Sequence, residues 1–324
     1  MTRKILFSLL ALLVFAGCGA KTNNTDKSSE TKEEVKSEES SDPSKKNITA
    51  TTTFIADMVK ELIGDRANLS MIIPAGEDPH LYVAKPEDYN KIKDADLVLY
   101  HGLHFEGKMV DALEASGYAV TETFPKDKIG QMDQDGETIV DPHFWFDIDL
   151  YKEAFTNAAN KLKELYKDDE EVIKEIDKNH DRYIKELDDL DEYNKKELAK
   201  IPEESRYLIT PHDAFNYFSR RYKIEVLAPQ GVSTDSEVSN KDLEDTASFI
   251  ADHKIKAIFA ESTTNPERME KLRDVVKSKG FETEVVSGEG QELYSDSLSK
   301  EGGEADTFIK MYKHNVDLIV GKLK

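Results

Sequence analysis

The stretch EVIKEIDKNHDRYIKELDDLDEYNKKELAKI, Glu171 to Ile201, decides how the rest of the chain is to be read. Its apolar residues Ile173, Ile176, Tyr183, Ile184, Leu187 and Leu190 recur at spacings of three and four, and nearly all the others are charged. That pattern is one amphipathic helix with a narrow apolar stripe. Pro202 ends it, because proline brings no amide hydrogen and clashes with the turn before it. At 1.5 Å per residue the helix runs about 45 Å, longer than a crossover between neighbouring strands requires. His180 falls on the apolar stripe and is expected to pack there rather than to hold a ligand.

On both sides of this helix short apolar runs alternate with amphipathic segments. Leu69–Ile73, Ala95–Tyr100, Tyr207–Thr210, Ala257–Ala260 and Thr283–Ser287 read as strands, several continuous enough to be buried on both faces. Pro86–Lys93, Leu150–Tyr166, Lys241–His253 and Pro266–Lys279 read as helices. Such alternation predicts an α/β fold with mostly parallel sheets, in two lobes joined by one long rigid helix. The expected boundaries are 48–170 for the N-terminal lobe, 171–201 for the connecting helix and 202–324 for the C-terminal lobe. A solvent-facing helix within a single domain is the alternative.

The N-terminus points to a compartment. Arg3 and Lys4 precede the apolar run Ile5–Ala16, too short to span a bilayer and proportioned like a signal-peptide core. The run ends at Phe15-Ala16-Gly17-Cys18, which contains the only cysteine of the 324 residues. This is similar to a bacterial lipobox, with Phe15 where leucine is usual, and predicts a signal peptide over 1–17 and lipidation of Cys18. The expected location is therefore extracytoplasmic, anchored to the outer face of the cell membrane; a plain secretory signal is the alternative. Residues 18–47 then read as the lipidated cysteine and a flexible tether, since the polar run Gly19–Lys46 has no aromatic residue with which to build a core. With Cys18 lipidated, the folded part has neither a disulfide nor a thiolate, so any metal it binds is held by nitrogen and oxygen. A formal net charge of −21 argues against a nucleic-acid partner and is compatible with a cationic ligand.

Eight histidines occur: His80, His101, His104, His143, His180, His212, His253 and His314. Three directly follow proline, as Asp78-Pro79-His80, Asp141-Pro142-His143 and Pro211-His212, although the chain has only 10 prolines. Proline stiffens the loop that presents the next side chain, which suits a preorganised metal site. His80 and His212 follow strand patterns, and ligands of open α/β sheets bind beyond the carboxyl ends of strands. The three are far apart in sequence, unlike the ligands of a finger-type zinc module. The residues by themselves leave open whether the three share one site or are isolated surface histidines.

Four stretches carry a more specific signal: Gly76-Glu77-Asp78-Pro79-His80-Leu81-Tyr82, His101-Gly102-Leu103-His104-Phe105-Glu106, Asp141-Pro142-His143-Phe144-Trp145 and His212-Asp213-Ala214-Phe215-Asn216-Tyr217-Phe218. With Pro229–Thr234, Phe259–Ser262 and Leu293–Leu298, in this order, the sequence resembles the cluster A-I solute-binding proteins of bacterial manganese and zinc ABC importers over residues 48 to 324. The resemblance implies two α/β lobes, four metal ligands at His80, His143, His212 and Asp296, an ABC permease with its ATPase as partner, and a transported Mn²⁺ or Zn²⁺ as ligand. Glu261 is the candidate for a carboxylate behind the ligands. His101 and His104 are expected to be structural.

Nitrogen-rich ligation with carboxylate suits Zn²⁺ and permits Mn²⁺ or Fe²⁺, and intrinsic affinity favours Zn²⁺. Zinc receptors of the family usually carry a histidine-rich loop before the second ligand, whereas Pro125–Val140 has no histidine, so the resemblance favours Mn²⁺. A metal-dependent hydrolase is the competing class; no His-Glu-x-x-His, Gly-x-Ser-x-Gly or phosphate-cradling glycine loop occurs. A surface adhesin is the third. The chain is expected to be a monomeric binding protein and not an enzyme.

Overall fold

The computed structural model describes residues 42–134 and 137–324; the signal peptide, Cys18 and most of the tether lie outside them. Strand β1 (Lys46–Ala50) starts two residues inside the stretch read as tether. Lys46 and Asn47 are its exposed entry, whereas Ile48, Thr49 and Ala50 are buried, so polar composition disguised its beginning. Helix α1 (Thr53–Ile63) follows, started by the Thr52 side chain and buried along most of its length.

The N-terminal sheet is wholly parallel, ordered β2-β1-β3-β4. It comprises β1, β2 (Ala67–Met71), β3 (Leu97–Tyr100) and β4 (Tyr118–Ala119), with β1 between Ala67–Met71 on one side and Leu97–Leu99 on the other. Helices α2 (Pro86–Lys93) and α3 (Val110–Ser116) are its crossovers. An antiparallel hairpin, β5 (Gln131–Gln134) with β6 (Glu137–Val140), departs from the parallel pattern and carried no strong alternation in the sequence. Helix α4 (Ile148–Leu165) closes this half.

Helix α5 (Glu170–Leu198) has 29 residues and lies within three residues of its expected bounds. Asp169 caps it through the amides of Glu171 and Val172. Its buried residues Val172, Ile176, Tyr183, Leu187, Leu190 and Leu198 face α1 and α4, then the C-terminal helix α9 (Phe308–Leu323). His180 is part-buried, stacked on Phe155 with centroids 5.9 Å apart and bonded to Thr156 Oγ1 at 2.9 Å, a packing role as expected.

The C-terminal half repeats the alternation with shorter strands. Strand β7 (Tyr207–Ile209) pairs in parallel with β8 (Glu225–Leu227) across α6 (Asn216–Tyr222), and β9 (Ala257–Phe259) pairs in parallel with β10 (Glu284–Val286) across α8 (Glu267–Ser278). Between the pairs runs α7 (Asn240–His253). These are ladders of three residues, so packing fixes them more than hydrogen bonding does.

The lobes share their largest core. Across the halves Phe54 meets Phe308 at 6.5 Å between centroids, Tyr151 stacks on Phe308 at 3.6 Å, and Phe146 lies 4.4 Å from Phe215. Burying one phenylalanine contributes about 1.5–3 kcal/mol, and several of these rings join the two halves. Wide opening of the two halves would expose these rings together, which opposes it. No helix among the described residues is long and apolar enough to cross a membrane.

Candidate metal centre

Each loop that carries a predicted site residue is aimed by the sheet beneath it. His80 comes from the loop after β2, and His143 and His212 each lie three residues beyond a strand end, of the hairpin strand β6 and of β7. A parallel bridge from His212 to Gln230 prolongs the β7–β8 ladder past its last named residues, and another from Glu261 to Leu293 does so beside β9. Asp296 follows three residues after Leu293.

The four side chains meet. One donor atom each of His80, His143, His212 and Asp296 lies within 4.8 Å of all the others. Asp296 Oδ1 is 3.4 Å from His143 Nε2, and Oδ2 is 3.2 Å from His212 Nε2 and 4.0 Å from His80 Nε2. His143, His212 and Asp296 are fully buried and His80 is 4% exposed. The three Nε2 atoms and both Asp296 oxygens make no hydrogen bond. Five buried polar atoms without partners around one point are costly unless something neutralises them together; a divalent cation does so with these donors.

Behind the imidazoles stand carboxylates. Asp141 Oδ1 lies 2.8 Å from His143 Nδ1, and Glu261 Oε2 lies 2.5 Å from His212 Nδ1 while also accepting Ser295 Oγ–H at 3.0 Å. Glu261 thus lies on the far side of the His212 ring from the cluster. Asp141 was missed as a participant, although its signal was in plain view. Asp78-Pro79-His80 and Asp141-Pro142-His143 are the same tripeptide, and in both the aspartate Oδ1 accepts the histidine backbone N–H at 3.0 Å, the local turn that aspartate favours. Asp78 Oδ2 in addition accepts the Thr234 hydroxyl at 2.6 Å, joining the lobes above His80.

Asp296 is held from the other lobe. Trp145 Nε1 donates to Ser295 O at 2.9 Å, Leu298 N to Thr53 Oγ1 at 2.8 Å, and Gly76 N to Ser297 Oγ at 3.0 Å. No neighbouring histidine or proline marks it in the sequence, which is why only family resemblance reached it.

The electrostatics divide the histidines. Burial pulls His80 down to about 3. Burial opposes charge on His143 as well, but the Asp141 and Asp296 carboxylates outweigh it and raise the group to about 9. Glu261 and Asp296 likewise hold His212 well above the ordinary imidazole value. The His212 and His143 imidazoles in turn keep Asp296 well below the usual carboxylate range against its burial. Without a metal, the carboxylates around His143 and His212 therefore favour the protonated form of both rings.

His101 and His104 stand apart. His101 is fully buried among Phe54, Phe105, Phe144 and Trp145, with Nε2 2.8 Å from Thr52 Oγ1. His104 is exposed. Neither joins the cluster.

Residues 48–321 match the ZnuA family model, the periplasmic component A of the zinc-uptake complex. The chain belongs to this family. It is similar to the manganese-binding lipoprotein MntA of Bacillus subtilis (strain 168), 34% identical over 99% of this chain and 97% of that protein. The zinc-binding protein TroA of Treponema pallidum (strain Nichols) is 37% identical over 85% of this chain and 88% of its own. A solved structure of a TroA, determined in work on its metal-binding specificity, superimposes with a TM-score of 0.84 at 58% identity over 87% of this chain and 100% of that one. The family architecture of two α/β lobes bridged by a long helix is the one described above, with α5 as the bridge.

Proposed function

We propose that this chain is the extracytoplasmic receptor of a bacterial ABC importer, which captures one divalent transition metal ion through His80, His143, His212 and Asp296 and delivers it to a membrane permease. The observation that carries the reading is the convergence of five unpartnered buried donor atoms, drawn from both halves of the chain, on one point. MntA and TroA, named for manganese and zinc binding, support the same class.

Mn²⁺ is the favoured cargo and Zn²⁺ the second reading. Both oxygens of Asp296 face imidazole nitrogens, so the carboxylate can offer two donors. A set of five suits Mn²⁺, whereas Zn²⁺ is satisfied by four. With one metal-facing carboxylate, a bound divalent ion leaves a single positive charge, and Asp141 and Glu261 behind the rings more than offset it.

A receptor accounts for the enclosure better than a hydrolase does. A catalytic zinc keeps an open position for water, whereas here the donors are buried on all sides. Release therefore requires the permease to part the lobes, against the shared aromatic seam and the stiffness of α5. Lipidation at Cys18 and a polar tether would keep a monomeric receptor beside its permease and ATPase.

The test is metal analysis of protein purified from its native host, followed by competition between Mn²⁺ and Zn²⁺. Manganese at one equivalent, lost in His80→Ala and Asp296→Ala, is the expected result. Stoichiometric tight binding retained in both variants would remove the site assignment.

A further inference from the structure

The three histidines of the cluster are not held alike. His143 and His212 each have a carboxylate on Nδ1. Among the described residues, no carboxylate is bonded to the far nitrogen of the His80 ring: Asp78 takes only its backbone N–H, and Asp296 lies on the side facing the cluster. Its orientation must come from packing, and what packs on it is an unusual loop.

That loop runs from Gly102 to Gly107. Gly102, Leu103, His104 and Gly107 all have positive φ, at 85°, 54°, 63° and 42°. Leu103 and His104 pay a strain of order 1–3 kcal/mol each in this region, which persists only where surroundings over-determine it. The surroundings here are one fully buried side chain, Glu106. Its Oε1 accepts the Thr51 hydroxyl at 2.8 Å and the His101 N–H at 2.6 Å, and its Oε2 accepts the Gly102 N–H at 3.3 Å. Thr51 and His101 are the residues just past β1 and β3, so the carboxylate ties the loop to the sheet end from which the His80 loop also departs.

The loop bears on His80 at two points. The Phe105 ring meets the His80 ring edge-on, with centroids 5.0 Å apart and planes at 88°. Gly107 lies so close to the His80 backbone that a Cβ there would stand 2.4 Å from the His80 carbonyl oxygen and 3.1 Å from its carbon. Glycine is therefore demanded at 107 twice, by its φ and by the approach.

We propose that the Gly102–Gly107 loop, locked by Glu106, is the positioning element for His80, so that Glu106 and Gly107 set metal affinity without touching the metal. Packing does for His80 what hydrogen-bonded carboxylates do for His143 and His212. The inference rests on the reading of His80 as a ligand.

The experiment uses Co²⁺ as a spectroscopic probe of coordination, together with Mn²⁺ and Zn²⁺ dissociation constants by chelator competition. Four variants are compared with the full folded chain: Gly107→Ala, Glu106→Gln, His80→Ala and Gly117→Ala. In Glu106→Gln an amide NH₂ replaces an oxygen among the three donors. Gly117→Ala is the packing control, because its Cβ would lie 3.0 Å from the Leu113 carbonyl oxygen and from the Tyr100 ring in the same lobe, away from His80. Gly107→Ala and Glu106→Gln should each weaken binding at least tenfold and move the Co²⁺ spectrum towards that of His80→Ala, while Gly117→Ala keeps both native. If Gly107→Ala does not fold, Glu106→Gln decides. Native spectrum and affinity in the loop variants, with loss in His80→Ala, overturn the inference alone, as does an equal loss in Gly117→Ala. Native binding in His80→Ala overturns the ligand reading and the inference with it.

Discussion

The Glu261 carboxylate lies 2.5 Å from Nδ1 of His212, and both side chains are fully buried. A carboxylate on the far nitrogen fixes which imidazole nitrogen is free for a metal and raises its basicity; loss of such a partner typically weakens metal binding 10- to 100-fold. Glu261→Gln should therefore bind Mn²⁺ at least about tenfold more weakly with an intact fold, measured by competition with a fluorescent chelator. Unchanged affinity would mean that His212 needs no such support.

Metal binding should release protons. Without metal, the carboxylates beside His143, raised to about 9, and beside His212, raised above the ordinary value, favour the charged imidazoles, whereas burial lowers His80 to about 3 and keeps it neutral. A metal requires all three neutral, so binding releases protons at pH 7 and apparent affinity rises with pH. Calorimetry in buffers of different ionisation enthalpy counts them; no buffer dependence would contradict the charged cluster. The linkage has the opposite sign for metal-free stability. A histidine whose folded value is raised contributes fully below its unfolded value near 6.5 and loses that contribution as pH rises through about 9.

Asp296→Ala should do two things at once. Tight binding is lost with the only metal-facing carboxylate. The metal-free protein also loses some stability near pH 7, because His143 and His212 lose the carboxylate between them and keep only Asp141 and Glu261 on their far nitrogens. Denaturant unfolding of the metal-free variant measures this, and the deficit should shrink towards pH 9 as the imidazoles give up their protons.

The bridge helix has one anchor worth breaking. Arg221 of α6 reaches Asp191 of α5 with Nε at 2.7 Å and Nη2 at 2.8 Å, and its Nη1 meets Asp147 and Asp149 at the start of α4. Bidentate charge-assisted pairing of this kind is among the stronger polar contacts. Arg221→Ala should lower unfolding stability by about 2–3 kcal/mol, and Arg221→Lys should recover only part, since an ammonium cannot form the fork. An exposed pair such as Lys241–Asp245 should contribute under about 1 kcal/mol by the same measurement.

Legibility differed by element for physical reasons. Helices α2, α4, α5, α7 and α8 were readable within about three residues, because their apolar stripes run over many turns and several have recognisable caps. In the C-terminal half β7, β9 and β10 were placed by apolar content, whereas β8, Glu225–Leu227, was not read, and the three-residue ladders were too short to reveal which strand pairs with which. The β5–β6 hairpin escaped because its residues, Gln131–Gln134 and Glu137–Val140, are mostly polar. Of the site, His80, His143 and His212 declared themselves through the prolines before them, and the repeated Asp-Pro-His tripeptide would also have shown Asp141 and Asp78 as loop-fixing partners.

Read alone, the sequence determined the local facts: a helix of about 45 Å, an α/β alternation on either side of it, a folded part without thiols, and three histidines presented from stiff loops. These follow from properties a residue carries with it, such as apolar period, fixed φ and the chemistry of its donors. Only the tertiary structure decided that the three histidines and Asp296 face one point, that Asp141 and Glu261 stand behind two of the rings, and that a strained loop bears on the third. Those relations join residues up to 216 positions apart, from His80 to Asp296, and no local period encodes them. They arise because parallel strands deliver successive loops to the same end of a sheet, and because a shared aromatic core sets the ends of two sheets face to face.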